Sequence, residues 1–226
     1  WKFQNYIKDY LRCIAGVDRA VGRVLDYLDQ NGLTQNTLVV YTSDQGFYLG
    51  EHGWFDKRWM YEESFKMPLL MRLPTKIQPG TISDDLVMNI DFAPTLIDFA
   101  GINVPDQMQG ESFKGLFDDA KDYESRDAVY YHYYEYPLWH KVQPHYGIRT
   151  NRYKLMHFYY SMDEWELYDL KNDPNEMSNI YNSSNDSLIQ SLKGQLIALQ
   201  SEYGDDKSIS EMKLMTDTVI ARSYKE

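Results

Sequence analysis

Apolar residues recur at steps of three and four positions along residues 6–30, which predicts a long amphipathic helix. The pair Asn31-Gly32 predicts its end. Cys13 lies in a second apolar stripe beside the main one, so we expect it to be a packed structural thiol. The main stripe consists of Leu11, Ile14, Val21, Leu25 and Leu28.

The next element is a strand, predicted from an apolar, β-branched run at residues 37–42. A nearly continuous apolar run is typical of a buried strand in a parallel sheet. A short helix at 60–65, a second strand at 68–73 and a helix at 89–100 closed by Gly101 complete this part of the chain. The order predicts an α/β fold in which residues 1–120 form part of a doubly wound sheet.

From about Lys121 the pattern changes to short runs that alternate as in an antiparallel sheet. Four strands are predicted, at 128–136, 146–150, 153–160 and 165–170, with Asn151-Arg152 as a hairpin turn. A helix with a leucine stripe follows at 187–203, and a final helix docks after it. Residues 121–226 are therefore predicted to form a small C-terminal α+β subdomain with a four-stranded antiparallel sheet.

Composition narrows the partners of the protein. The 226 residues carry 23 Lys and Arg against 34 Asp and Glu, a formal charge of −11. That charge argues against nucleic acid or an anionic membrane as a partner. A single cysteine excludes an internal disulfide framework and leaves the compartment open. The given sequence shows no signal-peptide or transmembrane pattern, which says nothing about export.

Residues 41–64 contain the side chains that most clearly indicate a functional site. Asp44 and Gln45 directly follow the first strand, at the carboxyl end where open α/β sheets place their ligand sites. Their oxygens suit Ca²⁺ or Mg²⁺, and the nearby Lys57 and Arg58 suit an anion held against such a metal. Two donors are too few for a complete metal site. A tight turn, a helix N-cap at Asp44 and a solvated Lys-Arg pair remain alternatives.

Several motifs extend this pattern over nearly the whole chain. They are residues 42–46 (Thr-Ser-Asp-Gln-Gly), 50–53 (Gly-Glu-His-Gly), Lys57, 61–68 (Tyr-Glu-Glu-Ser-Phe-Lys-Met-Pro), 69–74, 91–96, 147–150, 153–155 and 166–174. With them the chain resembles the sulfatase family of the alkaline-phosphatase-like superfamily. Residues 44–58 are most similar to the N-acetylglucosamine-6-sulfatase type.

The chain also departs from the family. Sulfatases carry a Cys or Ser, oxidised to formylglycine, in a Cys/Ser-x-Pro/Ala-x-Arg motif, and this sequence contains no such motif. The two aspartates that usually open the metal site are missing too. The resemblance therefore implies the C-terminal portion of a longer sulfatase, with the N-terminal portion of the same protein as a necessary partner. We expect the chain to be inactive on its own.

The resemblance implies roles for individual residues. Asp44 and Gln45 would hold Ca²⁺, or alternatively Mg²⁺, together with upstream aspartates, and Lys57 would contact the sulfate. Asp56 and Arg58 would line the sugar pocket, although an ordinary ion pair is equally compatible with their spacing. The intact protein would hydrolyse a sulfate ester of a glycan through a formylglycine outside this chain, in an extracytoplasmic compartment.

The histidines divide into three groups. His140 and His145 fall in a predicted polar loop between two strands, and we expect both to contact substrate. His52 lies between glycines and could be a general acid or a loop anchor, and the resemblance favours the anchor. His132 and His157 fall in strand patterns and are predicted to be satisfied core or edge residues.

Two other functions remain open. One is a phosphodiesterase or phosphonate hydrolase of the same superfamily, whose His-rich two-metal site is disfavoured by Gln45. The other is a non-catalytic glycan-binding remnant of a decayed sulfatase, which the retention of Asp44, Gln45 and Lys57 argues against.

Overall fold

The computed structural model describes residues 1–117, 123–137 and 140–223. Within these ranges the α-helices are Lys2–Gln30 (α1), Glu62–Phe65 (α2), Phe92–Phe99 (α3), Asp186–Glu202 (α4) and Ile209–Ser223 (α5). The strands are Val39–Thr42 (β1), Leu69–Arg72 (β2), Ala128–Tyr133 (β3), His145–Thr150 (β4), Tyr153–Phe158 (β5) and Glu164–Asp169 (β6). The predicted helices and strands are present in the predicted order, and the fold is mixed α/β.

Helix α1 has its predicted apolar stripe, but the stripe is exposed. Leu11 is 56% exposed and Ile14 45%, and no residue of the helix is buried. Near its start the ring of Tyr6 contacts that of Phe55 at 5.4 Å between centroids. Cys13 is exposed, so the prediction of a packed thiol is wrong for this chain. Periodicity identifies the apolar side of a helix, but it does not supply the surface that covers that side.

Strands β1 and β2 form a two-stranded antiparallel sheet. Val39 pairs with Arg72 and Thr42 with Leu69. Tyr41, in the middle of β1, is exposed. The predicted buried parallel strand is therefore wrong in direction and in burial within the described residues. An apolar run specifies a strand, whereas its direction depends on which neighbour it pairs with.

Helix α3 begins at a buried carboxylate. Asp91 is 2% exposed and forms a two-pronged ion pair with Arg126, at 2.6 and 3.0 Å. The backbone N–H groups of Met88 and Glu111 donate to the same carboxylate at 2.7 and 2.9 Å. Gly101 ends the helix with a φ of 73°, as the sequence predicts. The Asp91 carboxylate therefore fastens α3 to the segment that enters β3.

The predicted four-stranded antiparallel sheet is confirmed, in the order β3-β4-β5-β6. One face packs against α4 and α5 in a hydrophobic core, and the other face packs against the loop before α2. The first core contains Ile148, Leu155, Leu167, Ile189, Leu192, Leu196 and Met212. The second contains Met60, Met156, Phe158 and Tyr168. In β5 the consecutive residues Lys154 to Phe158 are all buried, and because successive side chains point to opposite faces, this strand is covered on both sides.

Buried charges join α2 to the sheet. The ammonium of Lys154 in β5 lies 2.9 Å from Glu62 and 2.8 Å from Glu176, and its side chain has no exposed surface. Arg149 adds a second cation 3.2 Å from Glu62. Burial alone would raise the pKa of Glu62, but the two cations overcome it and lower the pKa to about 2. Glu62 is therefore ionised across the physiological range.

The predicted division near residue 120 falls within residues 118–122, which lie outside the described residues, and it stays a prediction. Among the described residues, none of the helices combines the length and the apolar character that crossing a membrane needs.

Candidate active site

Gln45 and Lys57 are joined through one buried serine. The amide nitrogen of Gln45 donates to the carbonyl of Ser64 at 2.8 Å and contacts its hydroxyl at 3.0 Å. The Ser64 hydroxyl in turn donates to the carbonyl oxygen of Lys57 at 2.7 Å. Gly46 completes the contact, because a Cβ there would stand 2.1 Å from the carbonyl oxygen of Glu63. Contacts to backbone carbonyl groups thus hold the segment after β1 against the loop that contains Lys57.

These hydrogen bonds also orient the Gln45 amide. A carbonyl oxygen can only accept, so the group facing Ser64 must be the NH₂ of Gln45. The amide oxygen is then on the other side, where it has no hydrogen-bond partner among the described residues. An oxygen presented in this way is a suitable ligand for a hard cation.

Asp44 directly precedes Gln45 in sequence and is exposed. Its backbone carbonyl accepts a hydrogen bond from the Asn89 side chain at 2.7 Å, which fixes the strand end. Within residues 1–117, 123–137 and 140–223, no three His, Cys, Asp or Glu residues cluster as metal ligands would. Asp44 and Gln45 can therefore contribute oxygens to a metal site but do not complete one within the described chain.

Lys57 combines a fixed backbone with an unpaired side chain. Its N–H donates to the Asp56 carboxylate at 2.7 Å, and its carbonyl accepts from Ser64. The side chain is exposed. Its ammonium has no carboxylate partner in the part of the chain that the structure describes. An unpaired ammonium on a fixed loop is available to an external anion.

Arg58, the next residue, is placed differently. Its guanidinium is paired with Asp56 and lies 3.0 Å from Glu135, which follows β3. The Tyr133 hydroxyl donates to the same Glu135 oxygen at 3.2 Å. His140 lies 4.0 Å from the other Asp56 oxygen and keeps 37% of its side chain exposed. Three of the predicted substrate-binding residues, Asp56, Arg58 and His140, are therefore neighbours.

The predicted loop position of His145 is wrong. His145 is the first residue of β4, is completely buried and is stacked between the rings of Trp59 and Tyr133 at 5.6 and 5.5 Å. Its Nδ1 contacts the carbonyl of Gln143 at 2.7 Å, and burial lowers its pKa to about 4. A neutral, enclosed imidazole cannot touch a sugar in this structure. The tyrosine-rich strand pattern beside it was the available signal for an aromatic interior.

His52 is held as part of its loop. It has a left-handed φ of 52° and stacks on Tyr61 at 4.4 Å between ring centroids. Its Nε2 lies 3.4 Å from Glu63. These contacts favour the anchoring role over a free general acid.

His132 and His157 lie inside strands with carboxylate partners, as predicted for core residues. His132 is 2.6 Å from Asp205 and His157 is 2.8 Å from Asp163, and each histidine side chain is 2% exposed.

Two residues that complete the site had no predicted role. Ser64 lies in the 61–68 motif, which indicates the family but no role for the serine, and Glu135 lies in an aromatic block that predicts a sheet face. The distance from Arg58 to Glu135 spans 77 positions in sequence. No local pattern signals such a pairing.

Comparisons with known proteins identify the family of the chain. Residues 50–202 match the family described as N-sulphoglucosamine sulphohydrolase, C-terminal. An N-acetylglucosamine-6-O-sulfatase of Bacteroides thetaiotaomicron is 51% identical over 91% of this chain and 38% of its own length. The N-acetylglucosamine-6-sulfatase of Bos taurus is 30% identical over 88% of the chain and 41% of its own length.

A solved structure described as a complex with its substrate D-glucosamine-2-N,6-O-disulfate superposes with a TM-score of 0.87 and 50% identity. The match covers 92% of this chain and 43% of the chain in that structure. The chain thus spans well under half the length of these relatives. The fold is of the alkaline-phosphatase-like α/β class. The chain belongs to the sulfatase family, through the part that corresponds to its C-terminal region, and is similar to the N-acetylglucosamine-6-sulfatase type.

Proposed function

We propose that the intact protein containing this chain is a sulfatase that hydrolyses a glycan sulfate ester, the 6-O-sulfate of N-acetylglucosamine. The observation that carries the proposal is the unpaired Lys57 ammonium on a loop whose backbone Ser64 links to the Gln45 amide nitrogen. The relatives named for this activity, one of them 51% identical, support the choice of substrate. By the same resemblance, the protein works outside the cytoplasm and needs its N-terminal portion.

Lys57 would meet a sulfate oxygen and stabilise the charge that develops as the ester bond breaks. Asp44 and Gln45 would supply oxygens to Ca²⁺, or alternatively Mg²⁺, which would draw the sulfate toward the same point. The orientation of the Gln45 amide supports this assignment, because it presents oxygen rather than nitrogen. A formylglycine outside this chain would supply the nucleophile. Asp56, Arg58 and His140 would contact the sugar.

The test measures sulfate release from N-acetylglucosamine 6-sulfate by the intact protein. Lys57→Ala should lower kcat/KM by about a hundredfold to a thousandfold, the usual cost of one transition-state donor. Lys66→Ala, which removes an exposed lysine at the end of α2, is the matched control and should leave the rate unchanged. Chelation followed by added Ca²⁺ should abolish and then restore activity.

Other outcomes would reject the proposal. Faster turnover of a phosphonate monoester or a phosphodiester than of the sulfate ester would indicate the related hydrolases. Glycan binding by the intact protein without any turnover would indicate a binding remnant.

A further inference from the structure

The two neighbouring cations of the loop have opposite electrostatic surroundings. Arg58 is held by two carboxylates, Asp56 on one side and Glu135 at 3.0 Å on the other. Lys57 has no carboxylate partner for its ammonium within the described residues. Counting formal charges, Asp56, Arg58 and Glu135 together carry −1, whereas Lys57 carries +1 alone. The loop therefore offers one anion-attracting point and, next to it, one that repels anions.

Glu135 is the group that makes the net charge around Arg58 negative. Asp56 alone would leave the Arg58 pair neutral, and the second carboxylate makes it negative. The hydrogen bond from Arg58 lowers the pKa of Glu135, so the carboxylate is ionised at neutral pH. The Glu135 side chain is about one-third exposed, at 36%, so its charge acts on anything that binds beside it. The Tyr133 hydroxyl holds the carboxylate in place.

Hydrogen-bonding capacity remains on both partners. The Nη2 of Arg58 and the Oε1 of Glu135 have no partners among the described residues, while their other polar atoms are engaged. A donor and an acceptor side by side match vicinal sugar hydroxyls, each of which can donate and accept. A second sulfate can only accept, and would meet a net negative charge here.

We propose that Glu135 is a specificity-determining residue, which makes the Arg58 side of the site accept uncharged ring substituents and discriminate against an anionic group at the ring position that lies beside Arg58. The inference rests on the proposed sulfatase function and deepens it. Lys57 takes the sulfate that is removed, and Arg58 with its two carboxylates reads the hydroxyl or acetamido groups beside it.

The experiment compares the intact protein with its Glu135→Gln variant on three sugars. These are N-acetylglucosamine 6-sulfate, its 3,6-disulfate and glucosamine 2-N,6-O-disulfate. Removing one charge close to the added sulfate should lower the preference for the monosulfate over at least one disulfate by about tenfold, as expected for unit charges a few ångströms apart at a surface. The change should shrink at high salt. Glu135→Asp should retain most of the wild-type preference.

Glu164→Gln, at the exposed start of β6, is the matched control and should leave all ratios unchanged. A merely structural role for Glu135 would lower kcat/KM for all three sugars equally and leave the ratios constant, which would overturn the proposal. Thermal unfolding of the variant checks that it is folded.

Equilibrium binding of the same sugars separates this proposal from the proposed function. If the wild-type protein releases no sulfate but its Kd ratios shift in Glu135→Gln, the catalytic function fails and the specificity role stands. If sulfate is released and neither the kcat/KM ratios nor the Kd ratios shift, the specificity role fails alone. Absence of binding for all three sugars would overturn both.

Discussion

The ammonium of Lys154 lies 2.8 Å from a carboxylate oxygen of Glu176, and neither side chain has any exposed surface. Glu176 also accepts the backbone N–H of Glu62 at 2.6 Å, and Glu62 shares the same lysine. Burial raises the pKa of Glu176, which means that its charge depends on the lysine beside it. With Glu62 the pair therefore forms a single charged unit, which joins β5, α2 and the turn at Glu176.

Removal of one member of this unit should be costly. Lys154→Met leaves the buried Glu176 and the partly buried Glu62 without their shared cation, so we expect the free energy of unfolding to fall by about 3–5 kcal/mol. Urea denaturation of wild type and variant measures it. Lys171→Met, which changes an exposed lysine in the turn after β6, should cost less than about 0.5 kcal/mol. A similar small loss for Lys154→Met would contradict the role assigned to the buried pair.

The stability of the protein should depend on pH through His145. Its folded pKa is about 4 against an ordinary value of 6.5, because burial disfavours the charged ring. The unfolded chain therefore binds a proton first, and stability that is present above pH 6.5 is lost as the pH falls toward 4. The expected loss from this group is about 3 kcal/mol.

The measurement is the free energy of unfolding at pH 7 and pH 4.5 for wild type and His145→Gln. The variant should lack this part of the pH dependence, although it is less stable at pH 7. His140→Gln, which changes a partly exposed histidine, should keep the wild-type slope. Equal slopes in wild type and His145→Gln would show that the ring is not held neutral.

Ser64 should matter to catalysis without touching substrate. Ser64→Ala removes the hydroxyl that contacts Gln45 and donates to Lys57, so the two groups lose their fixed separation. We expect kcat/KM of the intact protein to fall by about tenfold to a hundredfold, the usual cost of small misplacement. Ser187→Ala, an exposed serine of α4, serves as the control. Unchanged activity in Ser64→Ala would mean that the loop is positioned by other contacts.

Cys13 gives a direct test of the exposed face of α1. In the isolated chain, a thiol reagent should label it completely without denaturant, at the rate of an unhindered thiol. Because Cys13 is the single cysteine, the reaction counts one group. Slow labelling that becomes fast in denaturant would mean that the apolar stripe around Leu11 and Ile14 is covered in solution.

The sequence predicted the elements well and their partners less well. Strands β3 to β6 were predicted because each is short, rich in β-branched or aromatic residues and bounded by turn residues, and their antiparallel pairing follows from short connections. The direction of β1 was not predictable, because a run such as Leu38 to Tyr41 reads the same in either orientation. The burial of Cys13 failed for a related reason, since an apolar stripe implies a partner without identifying it.

The site shows the same division. The sequence predicts five of the candidate residues because they lie within one short segment of metal-binding and cationic side chains. They are Asp44, Gln45, Asp56, Lys57 and Arg58. Glu135 was not predicted, because its role depends on β3 ending beside Arg58. The sequence pattern predicts that β4 begins at Tyr146, whereas the strand begins at His145, and that single residue separates a surface position from an aromatic interior.

The buried charges under α2 have a consequence for shortened forms of this protein. A truncation that ended before the four-stranded sheet would strip Glu62 of both its counter-cations and remove the surface on which Met60 rests. The segment that contains Lys57 would then lose the sheet face that supports it through Met60. For protein engineering, the four-stranded sheet supports the segment around Lys57 and should be retained in any shortened form.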